Sequence, residues 1–291
     1  MKIYLTTFYS SDLKRSANRF KTQAEKMQIY DKIFLFTEKD LSDDFKNYVN
    51  SLLKLGKKKG YGYWVWQTYF HKKVLSELDE GDVYHWCDVG CHFNLNGRIR
   101  LKEYIDILEK EPTGFLGFQY KNLDSKYIKK KFTFPNYFEN QYTKSDLIKY
   151  FELEHDDPIV KSPQVWGGSF FVRKCKKSLQ MMEEHYEITK NRFDLIDDDE
   201  KKFLEKSVPE FIQHRHSQSV LSIIVKKAGS TLLSAYESEW AIDEKGKRTF
   251  EHLENFPIIA KRDKQKNIFG RFVDRQKKNL LRMKKKLNLN F

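Results

Sequence analysis

Cysteine is scarce: Cys87, Cys91 and Cys175 are the three among 291 residues. They are too few, and odd in number, for a disulfide framework, so a reducing, cytoplasmic setting is expected. With 6 Pro and 13 Gly, the chain is neither collagen-like nor dominated by linkers. No run of about 18 apolar residues occurs, so no membrane-spanning helix is expected. The opening MKIYLTTFY reads as a strand with one Lys, and no apolar run of signal-peptide length follows it. Three motifs are also missing: Gly-x-x-x-x-Gly-Lys-Ser/Thr, a Gly-x-Gly-x-x-Gly after the first strand, and Gly-x-Ser-x-Gly. Their absence argues against phosphate-loop ATPases, Rossmann dehydrogenases and nucleophile-elbow hydrolases.

What is present is apolar area. With 23 Phe, 16 Tyr and 5 Trp, the chain can bury a substantial core, which argues against intrinsic disorder. The net charge of +13 is unevenly spread. Residues 261–291 hold twelve Lys and Arg against Asp263 and Asp274, a net of +10, so the other 260 residues carry only +3. Within that tail Phe269, Phe272, Val273, Leu280 and Met283 follow roughly helical spacing, the pattern of a basic amphipathic helix. An anionic leaflet would attract it at about 1 kcal/mol per cation. Nucleic acid would suit the same charges, and a solvated tail without a partner is the third reading. Charge confined to one end favours tethering, and no nucleic acid is expected. The reading is one domain, 1–262, with a basic extension, 263–291.

The body alternates. Ile3–Phe8 is strand-like, 11–29 is an amphipathic helix through Leu13, Ala17, Phe20, Ala24 and Met27, Lys32–Thr37 is a strand, and 43–55 is helical. This rhythm predicts an α/β fold with a parallel sheet and right-handed crossovers. The cluster GYGYWVW at 60–66 interrupts before a helix to about Leu78. Val83–Cys87 follows as a strand, then helix 101–110, strand Gly114–Phe118, helix 143–152, the segment Val165–Arg173, and helices 176–189 and 217–228.

Ligands of open α/β sheets bind at the carboxyl ends of strands, and Asp88 stands just past Val83–Cys87 with Gly90 behind it. A carboxylate there either holds a divalent cation against a diphosphate or caps a turn. His85, Cys87, Cys91 and His92 lack a second downstream pair for zinc, and the two cysteines read as small buried hydrophobes. At Gln213-His214-Arg215-His216-Ser217-Gln218-Ser219, Ser217 or Ser219 caps the next helix, whose start favours anions. The alternative there is a pair of surface histidines. Gln164-Val165-Trp166-Gly167-Gly168 offers a flat indole to a sugar ring, or a bulge filled by a core Trp. In Tyr142-Thr143-Lys144-Ser145-Asp146, Thr143 caps a helix and leaves Lys144 for a phosphate or a sugar hydroxyl.

In order, these segments resemble a family of bacterial polysaccharide and lipopolysaccharide glycosyltransferases with a GT-A-like fold. The likeness runs over about residues 1–262 through Arg15, Gly60–Trp66, Gly81–Tyr84 with Asp88–Cys91, Thr143–Leu147, Gln164–Gly168 and His214–Ser219. It implies a mostly parallel sheet flanked by helices, and transfer of a hexose from a UDP-sugar to a sugar hydroxyl of a growing surface glycan. Galactose, pyranose or furanose, is the favoured sugar. Asp88 stands where such enzymes keep the first acid of Asp-x-Asp. The second acid is Gly90 here, and a histidine of 214–216 would complete a site for Mn²⁺ or Mg²⁺.

On this reading Asp88, His216 and Asp146 are catalytic, with Asp88 and His216 also the metal ligands. Thr6, Arg15, Tyr61, Lys144, His214, Arg215 and Gln218 bind the donor and its phosphates, and Trp64, Gln164, Trp166, Gly167 and Gly168 bind the acceptor sugar. The general base is open among Asp146, Asp197, Asp198 and Asp199. Ser217 replaces an Asp common in relatives, and Gln67-Thr68-Tyr69 replaces Lys-Pro-Tyr. A lipid-linked or oligosaccharide acceptor places the protein on the inner face of the cytoplasmic membrane, held by its tail. The competing class is a non-catalytic carbohydrate- or nucleic-acid-binding module.

Overall fold

A computed structural model describes residues 1–128, 130–198 and 210–262. The basic tail, 263–291, and Asp199 lie outside the described residues. The apolar runs do form strands: β1 (Ile3–Phe8), β2 (Lys32–Phe36), β3 (Val83–Cys87), β5 (Phe115–Gln119), β6 (Val165–Arg173) and β7 (Thr231–Ser234) make one six-stranded sheet in the order β2-β1-β3-β6-β5-β7. The fold is mixed α/β with a mostly parallel sheet. Five strands run the same way, and β6 alone runs against its neighbours β3 and β5. The mostly parallel sheet expected from the resemblance is the one observed, with β6 its single reversed strand.

Helices cover both faces. Alternation along the strands sends Tyr84, Trp86, Phe170 and Val172 to one side, where they join α4 (Val65–Glu77), α9 (Lys176–Asn191) and α10 (Ser217–Lys227). Val83, Cys87, Leu116 and Phe171 go to the other, with α1 (Lys14–Met27) and α5 (Arg98–Lys110). Trp86 and Phe170 are wholly inaccessible, and burial of each such ring contributes about 2–3 kcal/mol over leaving it in water. The amphipathic reading of α1 holds, since Ala17, Phe20, Ala24 and Met27 are its buried stripe and Gln28 ends it in the left-handed conformation. Ser42 caps α2 (Asp43–Lys54) by accepting from the Phe45 amide at 3.4 Å.

Two departures concern caps. Thr143 does not cap α7 (Ser145–Tyr150); its hydroxyl donates to Glu139 inside a buried polar network. Nor does Ser217 or Ser219 cap α10, whose N-cap is His216. Ser217 Oγ meets His185 Nε2 at 3.0 Å, and Ser219 donates to the Tyr142 carbonyl at 2.8 Å. These serines close contacts between elements. Local propensity does not record that use.

Three features bring distant parts to the carboxyl ends of β1 and β3. The two-residue strands β4 (His92–Phe93) and β10 (Ile258–Ile259) pair antiparallel, returning the chain near residue 260 to the loop after Asp88. Arg19 of α1 fixes that loop, donating to the carbonyls of Cys91 at 2.7 Å and Val89 at 2.9 Å. Finally, Gly60–Trp64 is a left-handed turn, with φ of 55°, 56°, 84°, 59° and 62° along five consecutive residues. In that turn a Cβ on Gly60 would lie 2.3 Å from the Trp64 ring, so only glycine lets the indole fold back.

Candidate active site

A crevice opens at the carboxyl ends of β1 and β3. Its larger lobe, about 630 Å³, is lined by Phe8–Ser10 after β1, by Gly60, Tyr61, Trp64 and Trp66 of the left-handed segment, and by Asp88–Cys91 after β3. A smaller lobe, about 330 Å³, is lined by Gln67, Tyr120, Gly167, Gly168 and the run Gln213–Gln218. Lys59, Trp64, Asp88, Trp166 and Arg262 line both. The lobes are thus one crevice with a common wall, sited where α/β sheets bind ligands.

Asp88 sits at the surface of this wall, and its amide is held by the Gly168 carbonyl at 2.8 Å across the β3–β6 ladder. Gly167 is gripped from both sides: Gln218 Oε1 accepts from its amide at 3.1 Å, and Gln67 Nε2 donates to its carbonyl at 3.3 Å. A Cβ on Gly168 would lie 2.5 Å from the Trp166 indole. Glycine there lets the indole lie close over the strand and line the crevice while only 5% exposed, so Trp166 is at once a core ring and part of the crevice wall.

The opposite wall is built on the N-cap of α10. His216 has φ 55° and ψ −131°, an uncommon conformation for a non-glycine residue. Its Nδ1 is 2.7 Å from the Ile196 carbonyl, which accepts only if Nδ1 carries the proton. Nε2 is then a buried lone pair. It has no hydrogen-bond partner and stands 3.6 Å from Asp198 Oδ1. Trp64 stacks on the imidazole at 5.6 Å and Tyr63 meets it edge-on at 4.7 Å. Burial pushes the His216 pKa down to about 4, so the ring is neutral near pH 7. His214 is likewise held neutral, well below its ordinary pKa, by burial. Its Nδ1 accepts from the Lys144 amide at 3.3 Å, so Nε2–H donates to the Leu195 carbonyl at 3.0 Å.

Asp198 is oriented by Tyr63, whose hydroxyl donates to Oδ2 at 3.0 Å, and by Lys59 at 3.3 Å. Arg262 pairs with buried Glu239 at 2.6 Å. Of seven non-glycine residues with positive φ among the described residues, Tyr61, Trp64, His216 and Arg262 line the crevice and Tyr63 packs on His216. Backbone strain of this kind concentrates at functional sites, where the surroundings hold it in place.

Several residues singled out in the sequence are not brought here. Lys144 is 1% exposed and bonds Asp197 at 3.2 Å and the carbonyls of Asp194 and Asp197, so it meets neither phosphate nor sugar. Gln164 is fully buried; it donates to Glu139 at 3.0 Å and accepts from Gln218 at 2.8 Å. Asp146 is half-buried in the first turn of α7, Thr6 is buried within β1, and Arg15 is exposed on α1; none of the three lines either lobe. Asp197 is spent between Lys144 and Lys57. Asp88, Tyr61, Trp64, Trp166, Gly167, Gly168, His214, Arg215, His216 and Gln218 do converge on the crevice. Sequence reasoning missed Lys59, Tyr120, Arg19 and Arg262. The first two belong to no spaced motif, and Arg19 looks like any cation on an amphipathic helix.

A divalent cation would find a neutral imidazole nitrogen at His216 and a carboxylate at Asp88 on the same crevice. No group of three His, Cys, Asp or Glu gathers as a ligand set among the described residues. Diphosphate oxygens and water would have to supply the rest, which is how Mg²⁺ is usually held. Cys87, Cys91 and Cys175 are free thiols, the first two buried. No helix among the described residues is long and apolar enough to cross a membrane.

No protein-family model matches the chain, and no curated protein sequence matches it. Among solved structures, a glycosyltransferase involved in glycosylation of the major capsid of PBCV-1 is similar at 10% identity and a TM-score of 0.42, covering 89% of this chain and 92% of that one. Mouse xyloside xylosyltransferase 1, in its apo form, is similar at 9% identity and TM-score 0.42, covering 82% and 87%. The galactosyltransferase LgtC, in complex with donor and acceptor sugar analogs, is similar at 9% identity and TM-score 0.38, covering 81% and 75%. At such identities the chemistry of the site is read from its own residues.

Proposed function

We propose that this chain is a nucleotide-sugar-dependent glycosyltransferase. The observation that carries the reading is that Asp88, beyond β3, and His214–Gln218, opening α10 more than a hundred residues later, line one crevice at the carboxyl ends of the sheet. The larger lobe, walled by Phe8, Tyr61, Trp64 and Trp66, suits the nucleoside of a UDP-sugar. The diphosphate then lies along the common wall, which Lys59 and Arg262 line together with Asp88. The smaller lobe takes the transferred hexose, galactose in the first instance, and the acceptor hydroxyl.

Transfer breaks the bond from the anomeric carbon to the diphosphate and loads charge on the departing oxygen. Cations already in place stabilise that charge without reorganisation. A divalent cation, Mn²⁺ or Mg²⁺, bound by Asp88 and His216 would add Lewis-acid stabilisation of the same oxygens. The acceptor hydroxyl loses its proton as it attacks. Of the four carboxylates weighed as base, Asp198 is the one beside the crevice among the described residues, fixed by Tyr63 and Lys59. Asp146 is remote and Asp197 is neutralised.

The direct test is incubation of the purified protein with UDP-sugars, with and without Mn²⁺ or EDTA. Asp88→Ala is expected to lower turnover by about 10³-fold or more with the fold intact, a loss comparable to removing a main electrostatic stabiliser. A variant that keeps its turnover, or a wild type that neither binds nor cleaves any nucleotide sugar, overturns the reading. A non-catalytic binding module would be indifferent to Asp88→Ala.

The acceptor we favour is the sugar hydroxyl of a lipid-linked or oligosaccharide surface glycan (O-antigen, capsule or lipooligosaccharide) at the cytoplasmic membrane face. The cationic tail would hold the protein there by its charge. Removing residues 263–291 should release the protein from anionic liposomes while sparing activity on soluble acceptors. Equal liposome binding with and without the tail would remove this part of the proposal.

A further inference from the structure

Three cations line the smaller lobe, and two are already matched to acids. Lys59 meets Asp198 at 3.3 Å and Arg262 meets Glu239 at 2.6 Å. Arg215 is different. Among the described residues no carboxylate lies within ion-pair distance of its guanidinium. That group stands over the rings of Tyr142 at 4.1 Å, Tyr137 at 4.5 Å and Tyr120 at 5.4 Å. Three aromatic faces balance part of the charge and hold the planar fork in a fixed orientation. They accept none of its five N–H bonds in the geometry a carboxylate offers. The backbone is fixed as well, the Arg215 amide donating to the Tyr142 carbonyl at 3.0 Å.

Arg215 lines the smaller lobe and not the larger one, which holds the strand ends suited to a nucleoside. Its position is therefore on the sugar side of the common wall. An oriented guanidinium without an internal acid, on a residue that lines the lobe assigned to the sugar, calls for a planar or tetrahedral anionic group delivered by the ligand.

We propose that Arg215 is a specificity determinant that reads an acidic group, a carboxylate or phosphate, on the sugar occupying the smaller lobe. The inference rests on the glycosyltransferase reading and narrows it to a reaction in which one of the two sugars is acidic, galactose remaining the transferred sugar where the acceptor carries the acid. That group belongs either to the transferred sugar of the donor or to the acceptor, and both present the same chemistry to the fork.

Titration of the tryptophan fluorescence tests this, because Trp64 and Trp166 line the lobe. One arm compares UDP-glucuronate with UDP-glucose. The other compares methyl glucuronide with methyl glucoside in the presence of UDP. In one arm the wild type should prefer the acid by roughly ten- to a hundredfold, the worth of a charge-assisted bidentate pair. Arg215→Gln should abolish the preference and Arg215→Lys should keep part of it. UDP alone should bind all three proteins within about twofold, which also reports that the variants are folded. Equal binding of acid and neutral ligands in both arms overturns the proposal. So does an Arg215→Gln variant that loses UDP as strongly as it loses the acid, since Arg215 would then serve the diphosphate. If UDP binds no form of the protein, the proposed function falls and this inference with it.

Discussion

Lys144 and Arg215 are both cations in polar, helix-opening segments, and their sequence surroundings give them equal claim to a phosphate. The structure treats them oppositely. Lys144 is taken out of water and bonded to Asp197 and two carbonyls, so its charge is consumed in joining the start of α7 to the turn at 193–197. Arg215 is half-buried against three tyrosine faces and lines the crevice. Availability to a ligand depends on what surrounds the charge. A buried ammonium must be paired, whereas a guanidinium over aromatic faces keeps its hydrogen-bonding edge.

The sharpest way to break this contrast is to remove each cation and measure stability by denaturant unfolding. Lys144→Met takes a buried ammonium away from Asp197, which keeps its pair with Lys57, and should cost about 3 kcal/mol, the worth of charge-assisted hydrogen bonds at a buried carboxylate. Arg215→Gln should cost only about 1 kcal/mol, the worth of its cation–π contacts with the tyrosine faces, because it leaves no internal acid unpaired. Equal losses would mean that Arg215 is scaffold too.

A smaller effect separates the two regions by pH. His216 is held neutral down to about pH 4 in the folded chain, whereas its unfolded value lies near 6.5. Above 6.5 both states are neutral and pH has no leverage. Between 6.5 and 4 the unfolded chain takes up a proton that the folded one refuses, so stability falls by about 1.4 kcal/mol per pH unit from this group. His185 and His252, pushed down to about 4 by burial, add to the slope. His216→Asn should flatten the acid limb by one proton's worth. An unchanged slope would show that His216 titrates normally.

Much of the scaffold was legible because strands and amphipathic helices write their faces into the sequence. The stripe Ala17, Phe20, Ala24 and Met27 could hardly be anything else. Strand direction leaves no such trace: alternation tells which side chains share a face, not which way the chain runs, so which strand of the mostly parallel sheet is reversed emerges only from the pairing of β6 with β3 and β5. Asp88 could be found because position after a buried strand is itself a signal. Asp198 could not be ranked above Asp197, its neighbour, since which one faces the crevice depends on Tyr63 and Lys59, 135 and 139 residues away. Gln164 and Asp146 looked functional for the same reason that Lys144 did. Polar residues in a spaced motif do not reveal whether their partners are substrate or protein.

The place of β6 in the sheet order has a consequence for the nascent chain. β3 lies between β1 and β6, yet β6 leaves the ribosome some eighty residues after β3. Throughout that interval the apolar edge VYHWC has no partner on one side. Such an edge is a template for pairing with another chain. Slow synthesis across residues 90–165 should therefore favour inclusion bodies, and the demand on holdase chaperones should peak before β6 emerges.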